Sequence, residues 1–487
     1  MFIDESKIET RAFINGEYVD SLSKGRLKKN SSLTGKRLVE IVSCNEEDVN
    51  IAVNNAKTAF ESGVWSDMTP EERKNVILRF ADLLEEHIDE LARLDTYETC
   101  RAYNNYLYDS LPKAIEAIRY FAEAVDKVYD IAIPPKKDSF GVIYRKPLGV
   151  VAVITPWNDP MVVTSWKSIP ALLMGNSIII KPAEQSSLSA IRTAEFAKMA
   201  GIPDGVYNVL PGKGEVVGKA LAEHKDIRGV FFTGSSEVGK NIIRYSSDNM
   251  KKVGLECGGK SPYIVTKNCK NLKKSAETLA SNVFYNQGQI CSAPSRLIID
   301  SSIKEEFLRY LFDAANEYIP GDSYNIGNKV GCVVSIEQYD RVMKYIEIGK
   351  NESGSYYEAK GCSDLPEGAL GIYPIIFYDV KENAVIAREE IFGPVITVLE
   401  YSDIDEAIKI ANDSRYGLAG AVWTDDLNEA YYVSKKIESG LVHINSYGED
   451  DNMSPFGGLK ESGLGKDKSV YAFDEYSELK SVWIKTV

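Results

Sequence analysis

Two residues of this chain have the types and surroundings that nucleophilic catalysis needs. Cys291 ends the run Phe-Tyr-Asn-Gln-Gly-Gln-Ile-Cys over 284–291, and Glu256 lies between an apolar Val-Gly-Leu run and a Gly-Gly pair. A cysteine thiolate is a strong nucleophile when its surroundings favour deprotonation or a base lies near it. A carboxyl group removed from water has a raised pKa, which suits a general base that activates water. Taken alone, a cysteine is more often a buried structural residue and a glutamate a solvated surface group, so two interpretations stay open at this point. The other interpretation is a covalent site with Cys291 as nucleophile and Glu256 as base.

A third stretch has the composition of a phosphate site. The run Phe-Thr-Gly-Ser-Ser-Glu-Val-Gly over 232–239 follows a predicted strand and opens a predicted helix. Backbone N–H groups at a helix N-terminus, with a hydroxyl beside them, bind anions such as pyrophosphate. The stretch is not the G-x-G-x-x-G fingerprint, so it predicts a phosphate loop of a different pattern.

The elements that must position these residues alternate between strands and helices. Such alternation predicts an α/β fold with a doubly wound parallel sheet, which is the architecture of dinucleotide sites. A second α/β series extends from about 260 to 459, and the tail over 478–485 is extended. The predicted strands are 150–154, 176–180, 206–210 and 229–233, and the predicted helices are 46–63, 70–95, 110–128, 188–200 and 215–222.

Composition limits the classes of partner. The chain has 487 residues, which allows two or three domains, and its formal net charge of −14 argues against nucleic acid and anionic membranes as partners. Seven cysteines without a CxxC pair and only three histidines predict neither a disulfide framework nor a metal site. The N-terminus has no apolar h-region of a secretory signal. These features favour a cytoplasmic protein.

The motifs around Cys291 and Glu256 resemble those of the aldehyde dehydrogenase superfamily. The runs Thr-Pro-Trp-Asn at 155–158 and Glu-Glu-Ile-Phe-Gly-Pro at 389–394 extend the resemblance, which covers almost the whole chain. It implies an α/β coenzyme domain with a doubly wound parallel sheet, an α/β catalytic domain and a small β oligomerisation arm with a C-terminal strand, which would complete a partner's sheet in a homodimer or homotetramer. The implied boundaries are 1–124 and 148–259 for the coenzyme domain, 260–462 for the catalytic domain, and 125–147 and 463–487 for the arm and C-terminal strand.

The resemblance implies NAD(P)-dependent oxidation of an aldehyde to the carboxylic acid. Cys291 would add to the aldehyde, a hydride would pass to the nicotinamide, and Glu256 would activate the water that hydrolyses the thioester. Asn158 would donate to the developing oxyanion together with the Cys291 backbone N–H. Cys257, where the family usually has an apolar residue, is interpreted as a small core residue or as an oxidisable thiol near the site.

The same resemblance implies the coenzyme contacts. Lys181 and Glu184 would lie on the adenosine ribose, where a carboxylate accepts from both hydroxyls and repels a 2′-phosphate. NAD is therefore expected over NADP, although NADP stays possible. Glu390 would hold the nicotinamide ribose, and Phe392 would pack beside the nicotinamide. The remaining implied contacts are Trp157, Gly234, Ser235 and Gln338.

The chain departs from the family pattern where the aldehyde enters. Asp159 follows Asn158 where the family commonly has Phe, and acids occupy 449–451 in the loop that anchors the far end of the substrate. Two interpretations stay open: an unusually wet tunnel mouth on an acidic protein, or attraction for a cationic aldehyde such as an aminoaldehyde or guanidino-aldehyde. Other motif details resemble the γ-glutamyl-aminobutyraldehyde and betaine-aldehyde-like branch. The expected tunnel residues are Asp159, Trp166, Asp450 and Phe456.

Two other functions compete with this interpretation. A cofactor-independent cysteine esterase or hydrolase would need a histidine partner, and His87, His224 and His443 all lie outside catalytic motifs. A non-catalytic binding or structural protein on the same fold would not need the intact set of Cys291 and Glu256. Formation of NADH with a panel of aldehydes separates the three.

Overall fold

The computed structural model describes residues 3–449 and 451–485. Within these ranges the strands form an eight-stranded sheet, a seven-stranded sheet, a three-stranded sheet and two small ribbons. The strands in chain order are β1 Ala12–Ile14, β2 Glu17–Val19, β3 Gly25–Leu27, β4 Ile41–Ser43, β5 Ile131–Lys136, β6 Ser139–Pro147, β7 Val150–Ile154, β8 Ser177–Lys181, β9 Tyr207–Val209, β10 Ile227–Thr233, β11 Lys252–Glu256, β12 Pro262–Val265, β13 Arg296–Asp300, β14 Ser353–Glu358, β15 Ile375–Val380, β16 Val395–Tyr401, β17 Tyr416–Gly417, β18 Ala419–Trp423, β19 Leu441–Ile444, β20 Leu459–Lys460, β21 Gly463–Leu464 and β22 Ser477–Lys485.

Helices pack on both faces of the two large sheets. Their start signals follow the sequence: the Thr69 hydroxyl accepts from the Glu72 N–H and the Glu72 carboxylate accepts from the Thr69 N–H. The helices in chain order are α1 Glu46–Glu61, α2 Pro70–Glu86, α3 Ile88–Thr99, α4 Tyr103–Asn105, α5 Leu111–Ala124, α6 Pro160–Leu173, α7 Leu188–Ala200, α8 Lys219–Glu223, α9 Ser236–Tyr245, α10 Leu272–Phe284, α11 Lys304–Ala315, α12 Ile336–Glu352, α13 Val385–Arg388, α14 Ile404–Asn412, α15 Leu427–Lys436 and α16 Ala472–Glu475.

The eight-stranded sheet is the predicted doubly wound sheet. Its order is β2-β1-β9-β8-β7-β10-β11-β21, and the five strands from β9 to β11 are parallel. Alternate residues of β7 enter two different apolar cores, with Val151 and Val153 in one and Val150 and Ala152 in the other. A sheet covered on both faces buries every residue of its central strands, which explains the continuous apolar runs in the sequence.

This topology brings four sequence motifs to one edge. Parallel strands end at the same side of a sheet, and ligands of such folds bind outside those carboxyl ends. The segment 155–158 follows β7, 182–184 follows β8, 234–235 follows β10, and Glu256 is the last residue of β11. Residues separated by up to about a hundred positions therefore meet at one site.

The seven-stranded sheet carries the nucleophile. Its order is β14-β15-β16-β13-β12-β18-β19, and all neighbours are parallel except β14 and β15. Cys291 lies in the connection between α10 and β13. The short segment 257–261 joins β11 of the first sheet to β12 of the second, so Glu256 ends a strand of one sheet and Cys291 precedes a strand of the other.

The three-stranded sheet joins the predicted arm to the C-terminal strand. β22 pairs with β6 in unbroken antiparallel register from Ser477–Pro147 to Lys485–Ser139. Pro134 and Pro135 lie in β5, where an edge strand tolerates residues that cannot donate a ladder bond. β21 adds to the first sheet through Leu255–Leu464 pairing. The domain boundaries given above stay a prediction.

The predicted helix over 70–95 is two helices, α2 and α3. His87 has φ −108° and ψ 18° between them, and its ring stacks on Phe196 with centroids 4.6 Å apart. This bend directs α3 against α7, a tertiary contact that a single helical period does not reveal. No helix of the described ranges is long and apolar enough to cross a bilayer.

Candidate active site

The Asn-Gln-Gly-Gln motif is a loop of unusual backbone conformation. Asn286 and Gln287 have φ of 49° and 56°, and Gly288 has φ 71°. A Cβ on Gly288 would lie 2.0 Å from the Gly393 carbonyl oxygen, so only glycine fits there. Three consecutive left-handed residues turn the chain sharply after α10 and place Cys291 at the junction of the two sheets.

Side chains of the same motif hold the loop in that shape. The Gln287 amide donates to the Ile372 carbonyl at 3.1 Å and accepts from the Ile372 N–H at 2.9 Å. The Gln289 carbonyl oxygen of the side chain accepts from the Val334 N–H at 3.0 Å. Both glutamines are buried. The motif is therefore a positioning device for the nucleophile as well as its sequence context.

Asn158 is fixed against this loop. Its Nδ2 donates to the Gln289 main-chain carbonyl at 3.0 Å, and Asn286 Nδ2 donates to the Asn158 carbonyl at 3.1 Å. An amide nitrogen carries two N–H donors, so one remains for a ligand oxygen. Asn158 and Cys291 line the same cleft. A fixed donor beside the nucleophile can stabilise an oxyanion without reorganisation.

Cys291 is half-buried and rests as a thiol. Burial raises the pKa of Cys291 to about 12, and the nearby Glu390 and Glu256 carboxylates add to the effect. The thiolate is the reactive form. Loss of the thiol proton therefore has to accompany attack on the carbonyl carbon, and a proton acceptor is needed in the site.

Glu256 is a buried carboxyl group that lies near enough to raise the pKa of Cys291, although it does not line the cleft that Cys291 and Asn158 share. It is 5% exposed. Burial, followed by the Asp467 charge, raises the pKa of Glu256 well above its ordinary range, against the opposing effect of Lys167. The Gly458 N–H also opposes the rise, although no hydrogen bond of ordinary geometry reaches either oxygen within the described residues. The direction agrees with the expectation from the sequence.

A buried ion pair, formed by Lys167 and Asp467, lies near Glu256 and affects its pKa. Lys167 Nζ and Asp467 Oδ2 are 2.8 Å apart, and their side chains are 1% and 7% exposed. The sequence analysis missed this pair; the available signal was a lysine in the otherwise apolar helix α6. Its two charges act on Glu256 in opposite directions.

We expect the two partners of this ion pair to shift the pH profile in opposite directions. Asp467→Asn removes a negative neighbour and lowers the pKa of Glu256, so the acid limb of the kcat profile moves to lower pH. Lys167→Met removes a positive neighbour, so the limb moves to higher pH. The measurement is kcat against pH at saturating substrates, with Lys167→Met/Asp467→Asn as the neutral control. Shifts of the same sign in both single variants would contradict the electrostatic role.

A cleft of about 210 Å³ joins the nucleophile to the predicted coenzyme residues. The Trp157 and Phe392 rings meet edge to face with centroids 5.3 Å apart. The half-buried Glu390 carboxylate accepts from the Gly259 N–H at 3.0 Å, and a Cβ on Gly258 would lie 2.2 Å from it. The residues fit a nicotinamide and its ribose, and NAD would supply a hydride acceptor there. The cleft is lined by Pro156, Trp157, Asn158, Thr233, Gly234, Ser235, Cys257, Gly258, Cys291, Gln338, Arg341, Glu390 and Phe392.

Two of these residues support others. The Gln338 amide donates to the Phe392 carbonyl at 2.7 Å and so holds Phe392 at φ 60°. Arg341, which the sequence analysis missed, donates to the Glu390 carbonyl at 2.8 Å. Gln338 lies in the cleft as expected, and its observed partner is a neighbouring main chain.

The predicted ribose and phosphate residues lie at the carboxyl ends of β8 and β10. Glu184 Oε1 accepts from the Gly214 N–H at 2.5 Å, and Lys181 Nζ is 3.4 Å from Glu184 Oε2. The Ser235 oxygen accepts from the Val238 N–H at 3.3 Å as N-cap of α9, so its O–H remains for an anion. Lys181 is buried, whereas Ser235 is exposed.

The position of Cys257 is compatible with both interpretations, a small core residue and an oxidisable thiol near the site. It is 4% exposed and belongs to the core under α9, where a Cβ on Gly239 would lie 2.8 Å from its sulfur. It also lines the cleft with Cys291. Burial raises the pKa of Cys257 to about 12. A protonated, packed thiol favours the interpretation as a core residue.

Two of the expected tunnel residues pack together. The Trp166 and Phe456 rings have centroids 5.4 Å apart, and Lys468 Nζ lies 5.4 Å from the Trp166 centroid. Asp450 lies outside the described residues. The expectation that these positions line an aldehyde tunnel stays a prediction.

Asp159 has a buried cationic partner that the sequence analysis missed. Arg101 Nη1 lies 3.3 Å from Asp159 Oδ2, and the two side chains are 2% and 29% exposed. Arg101 also donates to the Tyr285 hydroxyl at 2.6 Å, which in turn donates to Asp109 at 2.6 Å. Arg101 is fully buried and Asp159 is half-buried, with its Oδ1 out of contact with solvent. Burial raises the pKa of Asp159, and the Arg101 charge opposes that rise. No local sequence signal places Arg101 beside Asp159.

The structure combines a doubly wound parallel sheet with a cleft that brings Cys291 to residues fitting a nicotinamide. The model of the aldehyde dehydrogenase family matches residues 18–482. The chain is 42% identical over 478 residues to the NADP/NAD-dependent aldehyde dehydrogenase PuuC of Escherichia coli strain K12, covering 98% of this chain and 96% of that protein. It is 40% identical to the aminoacetaldehyde dehydrogenase of Pseudomonas aeruginosa, covering 97% and 95%.

A solved structure agrees with these matches. The indole-3-acetaldehyde dehydrogenase AldA of P. syringae, in complex with NAD+ and IAA, has a TM-score of 0.96 and 44% identity, covering 98% of this chain and 97% of that chain. The chain belongs to the aldehyde dehydrogenase family. The predictions of family, fold class and NAD-dependent oxidation of an aldehyde are confirmed.

Proposed function

We propose that Cys291, Asn158 and Glu256 perform the oxidation in the roles expected from the sequence. The supporting observation is the cleft in which the Cys291 sulfur, the Asn158 amide and the nicotinamide residues Glu390 and Phe392 lie together. These residues would place a nucleophile and an oxyanion donor at the carbonyl carbon, and bound NAD would supply the hydride acceptor there.

The steps require Cys291, Asn158, Glu256, water, a proton acceptor for the thiol and the coenzyme. The Cys291 sulfur bonds to the aldehyde carbon while the thiol proton passes to that acceptor, and Asn158 donates to the resulting oxyanion. The carbon–oxygen double bond re-forms as the carbon gives up a hydride, which bound NAD would accept, and the product is a thioester on Cys291. Glu256 then takes a proton from water, whose oxygen attacks the thioester, and the carbon–sulfur bond breaks to release the acid.

We propose that the substrate is a short polar aldehyde whose chain carries a hydrogen-bond donor, and an aminoaldehyde in particular. Asp159 follows the oxyanion donor directly, and its half-buried carboxylate keeps one oxygen, Oδ1, without a hydrogen-bond partner among the described residues. The name of the Pseudomonas aeruginosa relative, an aminoacetaldehyde dehydrogenase, supports the same class. Because Arg101 compensates the charge, we expect a hydrogen bond to contribute more than long-range attraction.

The substrate class is tested with three aldehydes of equal chain length. 4-Aminobutyraldehyde should have a kcat/KM about tenfold above that of butyraldehyde, with 4-hydroxybutyraldehyde between them. Asp159→Phe should remove the preference for both substituted aldehydes over butyraldehyde. Asp159→Asn should retain the preference for 4-hydroxybutyraldehyde over butyraldehyde. Equal values for all three substrates, or a preference for indole-3-acetaldehyde, would contradict the proposal. An advantage confined to the hydroxyaldehyde would assign the donor as a hydroxyl.

We expect NAD to be preferred over NADP because of Glu184. Its carboxylate is held by Gly214 and Lys181 at the place proposed for the ribose hydroxyls. Glu184→Ser should narrow the ratio of kcat/KM for NAD and NADP by about tenfold, since repulsion of the 2′-phosphate is lost and Lys181 remains. Glu215→Gln is the matched control, because Glu215 lines the same cleft as Glu184, but its carboxylate pairs with Lys213 at 3.7 Å and not with Lys181. Wild-type preference for NADP would refute this assignment.

We propose that the enzyme is a cytoplasmic homodimer or homotetramer. The three-stranded sheet supports this, because Trp483 and Leu479 on β22 are 51% and 66% exposed, and Ile131 on β5 is 54% exposed. Such a surface is typical of a contact between subunits. Sedimentation velocity tests the assembly, and a monomer at micromolar concentration would contradict it.

A further inference from the structure

The Lys29 ammonium group is held between two segments of main chain far apart in the sequence. It donates to the carbonyl oxygens of Glu98 and Gln185, the second at 2.5 Å. The neighbouring Lys28 is exposed and lies 3.8 Å from Glu40. Burial lowers the pKa of Lys29, and the Glu98 charge opposes that shift. Lys28 is therefore a surface residue, whereas Lys29 is half-buried and its ammonium group bonds to main-chain oxygens.

Both carbonyls belong to places where a cation is favourable. Glu98 lies in the last turn of α3, where the final carbonyls of a helix have no partner along the helix. A positive charge there also opposes the negative end of the helix dipole. Gln185 lies in the connection 182–187 between β8 and α7, directly after Glu184.

The Glu98 carboxylate makes a further contact, between the end of α3 and the start of α7. Its Oε2 accepts from the Leu188 N–H at 2.6 Å, at the first residue of α7. The side chain is buried. Burial raises the pKa of Glu98, and Lys29 acts in the opposite direction. The end of α3 therefore receives a cation, the start of α7 receives a carboxylate, and the connection that bears Glu184 lies between them.

The surroundings make these contacts important for the position of the connection. The small space around Lys29, Glu98 and Glu184 is otherwise lined mainly by apolar side chains. Hydrogen bonds of a charged group in such a medium are stronger than in water, and their loss leaves carbonyls without partners. The lining residues besides these three are Leu27, Leu38, Val39, Ile41, Tyr97 and Leu188.

We propose that Lys29 is a positioning residue for the coenzyme, acting as a tethered monovalent cation that fixes the connection 182–187 and thereby the Glu184 carboxylate. The proposal rests on the ribose role of Glu184 proposed above. An ammonium group resembles a monovalent metal ion in charge and in its need for several oxygen partners. A vacated ammonium position lined by carbonyl oxygens should therefore accept a free cation.

The test is cation rescue of Lys29→Ala. We expect the KM for NAD to rise about tenfold with kcat within about twofold of the wild type. Added methylammonium, ammonium or potassium chloride should lower the KM again in a saturable way, while tetramethylammonium chloride at equal ionic strength should not. Lys29→Met fills the space with an apolar stem, so it should show the raised KM without rescue. Lys28→Ala is the matched control and should behave as wild type.

Several results would overturn the proposal. An unchanged KM in Lys29→Ala, or a raised KM that no cation lowers, would reduce Lys29 to a packing residue. If the alanine variant does not fold, Lys29→Arg and Lys29→Met decide: arginine should keep the wild-type KM, and equal KM values in the two variants would refute the cation role. The variant Glu184→Ala tests the ribose role of Glu184 separately from the role of Lys29. An unchanged KM for NAD in Glu184→Ala would refute the ribose role, whereas cation rescue of Lys29→Ala tests the contact of Lys29 with the Glu98 and Gln185 carbonyls.

Discussion

Replacement of Cys291 by alanine is expected to lower kcat/KM for aldehyde oxidation by at least about 10³-fold, because no other covalent nucleophile lies in the proposed reaction. NAD binding should stay within about twofold of the wild type, since its contacts come from other residues of the cleft. The two quantities are measured by NADH formation and by titration of NAD binding.

Cys257→Ala is the matched control for this variant. Cys257 lines the same cleft and has a pKa raised by burial to about 12, as Cys291 does. The proposal gives it no chemical role, so its kcat/KM should stay within a few-fold of the wild type. Full dehydrogenase activity in Cys291→Ala would contradict the assignment of Cys291 as nucleophile. Loss of activity in Cys257→Ala alone would contradict it as well.

Replacement of Glu256 by glutamine is expected to lower kcat by about 10²–10⁴-fold, because an amide cannot take a proton from the hydrolytic water. The first turnover should still form NADH, so a pre-steady-state burst should persist while steady-state turnover falls. In the wild type, kcat should rise with pH through the raised pKa of Glu256, since only the ionised carboxylate accepts a proton. The glutamine variant should lose that rise.

An equal loss of the burst and of steady-state turnover would assign Glu256 to the first step instead. Cys291 rests as a thiol with a pKa of about 12, so a base is needed at the first step as well. If burst and turnover in Glu256→Gln fell by the same factor, Glu256 would take the proton of the thiol. The assignment to thioester hydrolysis would then be wrong.

Much of the fold was accessible from the sequence because local and tertiary requirements coincide. Val150–Ile154 is a strand both in the prediction and in the structure, because a central parallel strand must be apolar on both faces. Helix α7 spans Leu188–Ala200 and ends at Gly201, whose φ of 102° suits only glycine. The division at His87 was not accessible, since it depends on contact with a distant helix.

The site divides in the same way. Cys291, Glu256 and Asn158 were recognisable because their motifs also shape the backbone around them, as Gly288 and Gln289 show. Arg101, Lys167 and Asp467 were not recognisable, because each acts through a partner more than fifty residues away. The expected charge of Asp159 was therefore only half of an ion pair whose other half is buried.

The central claim is that Cys291 carries the acyl group between aldehyde and acid. It is tested most directly by mixing Glu256→Gln with aldehyde and NAD, quenching after the first turnover, and mapping the adduct by peptide mass spectrometry. We predict one acyl group on the peptide that contains Cys291, formed in proportion to NADH and absent without NAD. NADH formed without any adduct, or an acyl group on a residue other than Cys291, would contradict it.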